Sequence, residues 1–281
     1  MMATVNFTKM HGCGNNYIYV YLPDNPISDL AAASIQWSRP GFGIGSDGLI
    51  TIDKSSVADF RMRIFNNDGS EAMMCGNGVR CCGKFVRDHH LTDKKVVSFE
   101  TNAGIKILQL FEDSDGVVVS ARVDMGEPAL VNPVQFNSSL ATPLAPNLFE
   151  VGGFNGTYVC MGNPHFVIFV DDVESVNLSA VGPAMESNPA FPERCNIEFA
   201  QVRPDGSIRM RVWERGSGIT MACGTGACAT SVAASLARAL PRTNSVEMDG
   251  GTLSIEWGND NHIYMTGPAV SVFDGTIRSD F

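Results

Sequence analysis

The sequence predicts an α+β fold of two pseudo-symmetric lobes, each a mostly antiparallel, barrel-like sheet around a central helix. Three observations carry this. Residues 62–82 read as a short apolar strand, a Gly/Asp/Ser-rich loop and a Cys-Gly-x-Gly that opens a helix, and residues 210–228 repeat the design. The offset between copies is constant: Arg63 and Arg211, Cys75 and Cys223, and Gly14-Asn15 and Gly162-Asn163 are each 148 residues apart. Two copies of such a unit describe a duplicated lobe and not a solenoid. Finally, the runs between the motifs are short, apolar and bounded by turn residues, the pattern of strands. Residues 1–130 are expected to form the N-terminal lobe and 131–269 the C-terminal lobe, with a last strand in 270–281 returning to the first.

The elements follow in order. Residues 5–10 read as a strand, 11–16 as a tight loop and 17–21 as a second strand. Residues 29–38 are helical and stop before Pro40. The stretch 41–48 is glycine-rich but leads into a strand at 49–52. A dinucleotide or phosphate loop would lead into a helix, so nucleotide binding is set aside. Residues 60–65 are the strand before the first Cys-Gly-x-Gly, whose helix runs from about 76 to 90. Residues 96–100, 105–111 and 117–123 form a strand meander. The proline-bearing stretch 131–149 crosses to the second copy. There, 158–170 is strand, loop, strand, 178–185 is helical, and 197–202 and 207–213 are strands. The second helix spans 226–240, and the strands 246–248, 253–257 and 263–265 repeat the meander before the tail strand at 270–277.

Composition bounds the function. A chain of 281 residues with 44% apolar and 18% charged residues is globular. A net charge of −10 argues against gripping nucleic acid or an anionic membrane. No apolar run is long enough to span a bilayer. The first residues, Met-Met-Ala-Thr-Val-Asn-Phe, carry no secretory signal pattern. The eight cysteines are therefore expected to be reduced thiols of a cytoplasmic protein. They lack zinc-site spacing, so no metal is expected.

The repeated motif carries the chemistry. Each copy puts a cysteine at a helix start, where free amides and the helix dipole attract anions. A thiol there is expected to have a lowered pKa. The glycines let the backbone approach a ligand. Two such thiols facing one anion site suit inversion of an α-carbon, because one group removes a proton from one face and the other supplies a proton to the opposite face. The amides would hold the carboxylate and the charge that develops beside it. No lysine lies in either motif, so neither pyridoxal phosphate nor any other cofactor is expected. Cys81, Cys82 and Cys228 are expected to pack inside their helices, and Cys13, Cys160 and Cys195 to be ordinary small core residues. His89 and His90 read as a solvated pair at a helix end, whereas His165, in a Gly-Asn-Pro-His loop, is a candidate for the site.

At these residues the sequence resembles the diaminopimelate epimerase family, the pyridoxal-independent enzymes of lysine and peptidoglycan synthesis. The matching segments are Lys9-Met-His-Gly-Cys-Gly-Asn15, Arg63-Ile-Phe-Asn-Asn-Asp-Gly-Ser-Glu71, Met74-Cys-Gly-Asn-Gly78, Gly162-Asn-Pro-His165, Phe191-Pro-Glu-Arg194 with Asn196, Glu214-Arg-Gly216, Ala222-Cys-Gly-Thr-Gly-Ala227 and Tyr264-Met-Thr-Gly-Pro-Ala269. The resemblance implies Cys75 and Cys223 as the catalytic pair. It implies Gly76, Asn77, Gly224 and Thr225 as the grip on the reacting carboxylate, with Asn15 nearby. Asn66, Asn163, Asn196, Glu214 and Arg215 would hold the distal amino-acid end of the substrate, and His165 and Glu214 would tune the thiols. The implied reaction interconverts LL- and meso-diaminopimelate, with a small amino acid as the only partner and a homodimer as the assembly to test. Three positions depart from the family pattern: Asn16 for Asp, Gly48 for a substrate-contacting Gln in some members, and Ile219 for Glu.

Other readings stay open at this point. A related racemase of histidine or another amino acid would share the cysteine pair. A thiol–disulfide oxidoreductase would usually carry Cys-x-x-Cys. A non-catalytic amino-acid-binding protein would need the amide nests but not both thiols. Deuterium exchange at the substrate α-carbon separates the last two from an epimerase.

Overall fold

The computed structural model describes residues 3–281; the first two residues of the stretch read for a targeting signal lie outside it. The fold is mostly β, with mixed sheet and, among the described residues, four α-helices. It divides into two compact units: Met1–Asp124 with Thr266–Phe281, and Met125–Met265. No described helix is long and apolar enough to cross a membrane.

In the first unit, Ala3–Gly12 lies between two antiparallel partners, Asn15–Tyr21 and Val270–Ser279. Helix α1 (Leu30–Ser38) follows, its first turn closed by the Asp29 carboxylate accepting from the Ala32 amide at 2.9 Å. It lets the chain return in parallel, so that Gly48–Asp53 pairs with Asn15–Tyr21. Phe60–Asn66 then runs antiparallel to Gly48–Asp53. Helix α2 (Gly76–Asp88) is the second crossover, after which Val96–Thr101 pairs in parallel with Phe60–Asn66 and starts an antiparallel meander. Every residue of α2 from Gly76 to Val86 is buried, including Arg80 and Lys84. Cys81 and Cys82 are wholly inside.

The second unit repeats this order of elements. Phe154–Cys160 and Pro164–Phe169 form the antiparallel pair. Helix α3 (Leu178–Glu186) leads to the parallel strand Asn196–Val202, which pairs antiparallel with Ile208–Glu214. Helix α4 (Gly224–Ala237) leads to Thr243–Met248, parallel to Ile208–Glu214. The register of the duplication is kept even in the first helices: 30–38 and 178–186 differ by 148 at both ends. Residues 125–129 go with this unit, because the Met125 amide donates to the Ile263 carbonyl and Ala129 bridges to Cys160. An aromatic cluster of Phe136, Tyr158, Phe166 and Phe191 fills its core.

Some local expectations are corrected. The stretch 131–149 was expected to be only a crossing, yet Thr142–Ala145 and Leu148–Val151 form a hairpin that extends the sheet along Phe154–Cys160. Its prolines do not prevent this, because Pro143 sits at an outer, exposed strand. Helix α4 starts at Gly224 and ends at Ala237, where Ala239 turns to φ +54°. Helix α2 ends before the two histidines, and His89 bonds Thr8 Oγ1 at 3.0 Å.

Candidate active site

Each unit presents its own cysteine at a helix start. In the first unit Cys75 is the N-cap of α2 in extended conformation, and its Sγ accepts from the Gly78 amide at 3.4 Å. A sulfur therefore takes the capping role that a Ser or Asp oxygen usually fills. Its thiol donates to Asn15 Oδ1 at 3.2 Å, and Asn77 Nδ2 reaches the same oxygen at 3.5 Å. The Asp47 carboxylate orients this group, accepting from Asn15 Nδ2 at 3.0 Å and from the Asn16 amide at 2.8 Å. Beneath the helix start, the fully buried Arg80 guanidinium donates to Asn77 Oδ1 at 2.9 Å and to the Gly76 carbonyl at 3.1 Å. This unit thus brings together Asn15, Cys75, Gly76 and Asn77. Asn66 lies at the end of its strand and donates to Ser70 Oγ at 3.0 Å.

In the second unit Cys223 occupies the N-cap position of α4 in extended conformation. It is 5% exposed. Three neighbouring strands deliver the surrounding groups. His165 and Asn196 are register partners at one end of the parallel pair, and Glu214 closes the adjacent strand. A hydrogen-bonded chain runs from Glu198 through His165 towards Cys223. Glu198 Oε1 lies 2.6 Å from His165 Nδ1, and His165 Nε2 lies 3.1 Å from Asn163 Oδ1. Asn163 Nδ2 donates to Thr225 Oγ1 at 3.3 Å, which is 3.6 Å from Cys223 Sγ. Because Asn163 offers its oxygen to Nε2, that nitrogen carries the hydrogen. Asn196 Oδ1 accepts from the Arg215 amide at 2.9 Å and its Nδ2 donates to the Pro164 carbonyl at 2.8 Å, while Arg215 Nη1 donates to the Glu193 carbonyl at 3.0 Å. Glu214 accepts from the Thr220 hydroxyl.

The electrostatics of the second unit reverse one expectation. A helix start should lower a thiol pKa, but Cys223 is pushed well above the ordinary thiol value, first by burial and then by the negative charges of Glu214 and Glu198. A helix dipole contributes about 0.3–1 kcal/mol at an exposed terminus, whereas burial can shift a group by roughly 3–5 pKa units, so burial prevails. Burial also raises the Glu214 carboxyl, opposed by bonds from Thr220 and Cys223 and by His165.

His165, Glu198 and Cys223 offer donor atoms within 4.8 Å of one another. Of these, His165 bonds Glu198 through Nδ1 and Asn163 through Nε2. Among the described residues no cysteine forms a disulfide. Two of the departing residues have local causes. A Cβ at Gly48 would lie 2.1 Å from the Phe65 carbonyl oxygen, so no side chain fits there. Asn16 Nδ2 donates to the Asp47 carboxylate at 3.2 Å, a contact that an Asp would make repulsive. Glu198, Asp47 and Arg80 were missed by the sequence reading. Glu198 had a visible signal: a carboxylate in the middle of an otherwise apolar strand run, Ile197-Glu198-Phe199.

A family model described as diaminopimelate epimerase matches residues 7–131 and 157–272. The chain belongs to the diaminopimelate epimerase family. It is 56% identical to the diaminopimelate epimerase of Phocaeicola vulgatus, covering 99% of this chain and all of that one. It is 51% identical to that of Bacteroides thetaiotaomicron at the same coverage. The protein is accordingly an enzyme of the isomerase class. Among solved structures, a phenazine biosynthesis protein of the PhzF family from Bacillus anthracis shares the fold, with a TM-score of 0.72 over 98% of this chain and 99% of that chain at 17% identity.

Proposed function

We propose that this protein interconverts LL- and meso-diaminopimelate without a cofactor, using Cys75 and Cys223 as two bases at one α-carbon. The observation that carries this reading is the equivalence of the two cysteines. They stand 148 residues apart, each as the N-cap residue of a helix that its own Cys-Gly-x-Gly opens. The two units then act as pseudo-symmetric, barrel-like lobes, each giving one thiol and one set of helix-start amides.

In this reading a thiolate takes the α-proton: the C–H bond breaks, an S–H bond forms, and the electron pair spreads into the carboxylate. The other thiol gives its proton to the opposite face, so a C–H bond forms and a thiolate remains. The two sulfurs have then exchanged roles, and the reverse reaction runs through the same steps. Amides of Gly76, Asn77, Gly224 and Thr225, with Asn15, hold the reacting carboxylate and the charge it gathers. Arg215 is suited to the distal carboxylate, and Asn66, Asn163, Asn196 and Glu214 to the distal ammonium. His165 and Glu214 tune Cys223. Reduced thiols fit work in the cytoplasm, in the lysine and peptidoglycan precursor route, and a homodimer is the assembly to look for.

The test is epimerisation and α-carbon deuterium exchange by the purified protein and by its Cys75→Ala and Cys223→Ala variants. Both variants should lose epimerisation, since a single base cannot serve both faces. Near wild-type turnover by either one refutes the two-thiol assignment. Racemisation of alanine or histidine as fast as that of diaminopimelate refutes the substrate assignment.

A further inference from the structure

A carboxylate at the C-terminal end of a helix lies at the unfavourable end of the helix dipole. Glu186 is the last residue of α3 and is 8% exposed, so its charge is offset neither by the helix nor by free access to water. Donors from two other segments offset it. Glu186 Oε2 accepts from the Trp213 indole Nε1 at 2.7 Å. Its Oε1 accepts from the Gly216 amide at 2.9 Å and from Arg194 Nη1 at 3.1 Å. The Glu186 carbonyl also accepts from the Cys195 amide at 3.0 Å. The first two donors bracket Glu214 and Arg215, and the last two stand immediately before Asn196. Arg215 and Asn196 are themselves joined: Asn196 Oδ1 accepts from the Arg215 amide, and Arg215 Nη1 reaches back to the Glu193 carbonyl. The indole is fixed against α3, since a Cβ at Gly182 would lie 2.3 Å from the Trp213 ring.

The duplication sets this pin apart. Positions 148 residues earlier hold Ser38, Phe65 and Ser46 in place of Glu186, Trp213 and Arg194. There Ser46 Oγ donates to Ser38 Oγ at 2.8 Å, so the link from helix end to loop is kept. The carboxylate and the indole donor change together, because a serine carries no charge and a phenylalanine side chain no donor. The second copy thus holds its strand end at 213–216 by an acceptor that the first copy does not carry at the same place.

We propose that Glu186 is a positioning residue for the distal end of the substrate: it fixes residues 213–216 and the loop 193–196, so that Arg215 and Asn196 are in place before diaminopimelate binds. This rests on the reading above that gives Arg215 and Asn196 to the distal amino-acid group. Ordering such groups in advance removes a cost that binding would otherwise carry.

Steady-state epimerisation by the full-length Glu186→Gln, Arg215→Ala and doubly substituted proteins tests this. Gln keeps the shape of Glu186, but its single oxygen cannot serve all three side-chain and amide donors, and its NH2 group would face one of them. In Glu186→Gln the KM for diaminopimelate should rise on the order of tenfold while kcat changes less than about threefold. In the Arg215→Ala background the same substitution should cost less than about threefold in kcat/KM, because Glu186 acts through Arg215. An unchanged KM in a folded Glu186→Gln protein, a fall in kcat larger than the rise in KM, or the full tenfold loss repeated on Arg215→Ala overturns the proposal. If Glu186→Gln does not fold, amide hydrogen exchange in the substrate-free wild type decides: the Gly216 amide should exchange at least about a hundredfold more slowly than an unstructured amide, and unprotected exchange overturns the proposal. Unchanged kinetics in Arg215→Ala would remove the distal assignment and this proposal with it, whereas a failure confined to Glu186 leaves that assignment and the two-thiol reading standing.

Discussion

Adding one methyl group at each of the two equivalent glycines should have unequal consequences. In Gly78→Ala the new Cβ meets Ile50 Cδ1 at 2.6 Å and Met62 Cε at 3.0 Å, both flexible side-chain ends. Overpacking of this kind costs about 1–3 kcal/mol, and replacing Gly by Ala in a helix returns up to about 1 kcal/mol, a net loss of roughly 0–2 kcal/mol. In Gly226→Ala the Cβ meets Glu198 Oε1 at 2.7 Å, an atom held 2.6 Å from His165 Nδ1. The carboxylate must move, so a buried charge-assisted bond is strained or lost, adding about 1.5–3 kcal/mol. The second variant should therefore be less stable than the first by about that increment. With a urea slope of about 2 kcal/mol per M, the midpoints should differ by about 1 M. Urea unfolding of the two variants beside wild type, followed by tryptophan fluorescence, measures this. Equal midpoints, or a lower midpoint for Gly78→Ala, would show that the Glu198–His165 contact does not bear on the helix start as argued.

Other outcomes follow from the same geometry. Cys75→Ser and Cys223→Ser should epimerise poorly yet still exchange the α-proton, each preferring the opposite stereoisomer of diaminopimelate; the same preference in both would sink the two-face assignment. Arg215→Ala should lose most of kcat/KM, since it removes the proposed charged partner of the distal carboxylate; a change of less than threefold in steady-state kinetics would count against its role. Stability should fall as the pH rises above the ordinary thiol value of 9.0, because burial raises Cys82, Cys195 and Cys223 in the folded state, so the folded protein binds more protons than the unfolded chain in that window. Cys195→Ala should make the decline shallower, measured as the urea midpoint against pH.

The sequence alone determined the character of the fold and the place of the motifs. Alternating short apolar runs gave a mostly β protein, and Cys-Gly-x-Gly marked the start of α2 and of α4, because local propensity and turn chemistry act over a few residues. The constant offset of 148 made the two copies comparable before any contact was known. The parallel pairings and the hairpin in 142–151 were not legible, since strand partners are chosen by packing between segments far apart in sequence. The state of the second thiol was not legible either. Cys75 and Cys223 look alike in sequence, each before Gly-x-Gly, and the helix-start rule assigns both a lowered pKa. Only the tertiary structure brings His165, Glu198 and Glu214 from three strands to the start of α4. Burial and two carboxylates there outweigh the helix dipole, because desolvation acts on a charge wherever it is buried, while the dipole reaches little beyond the first turn.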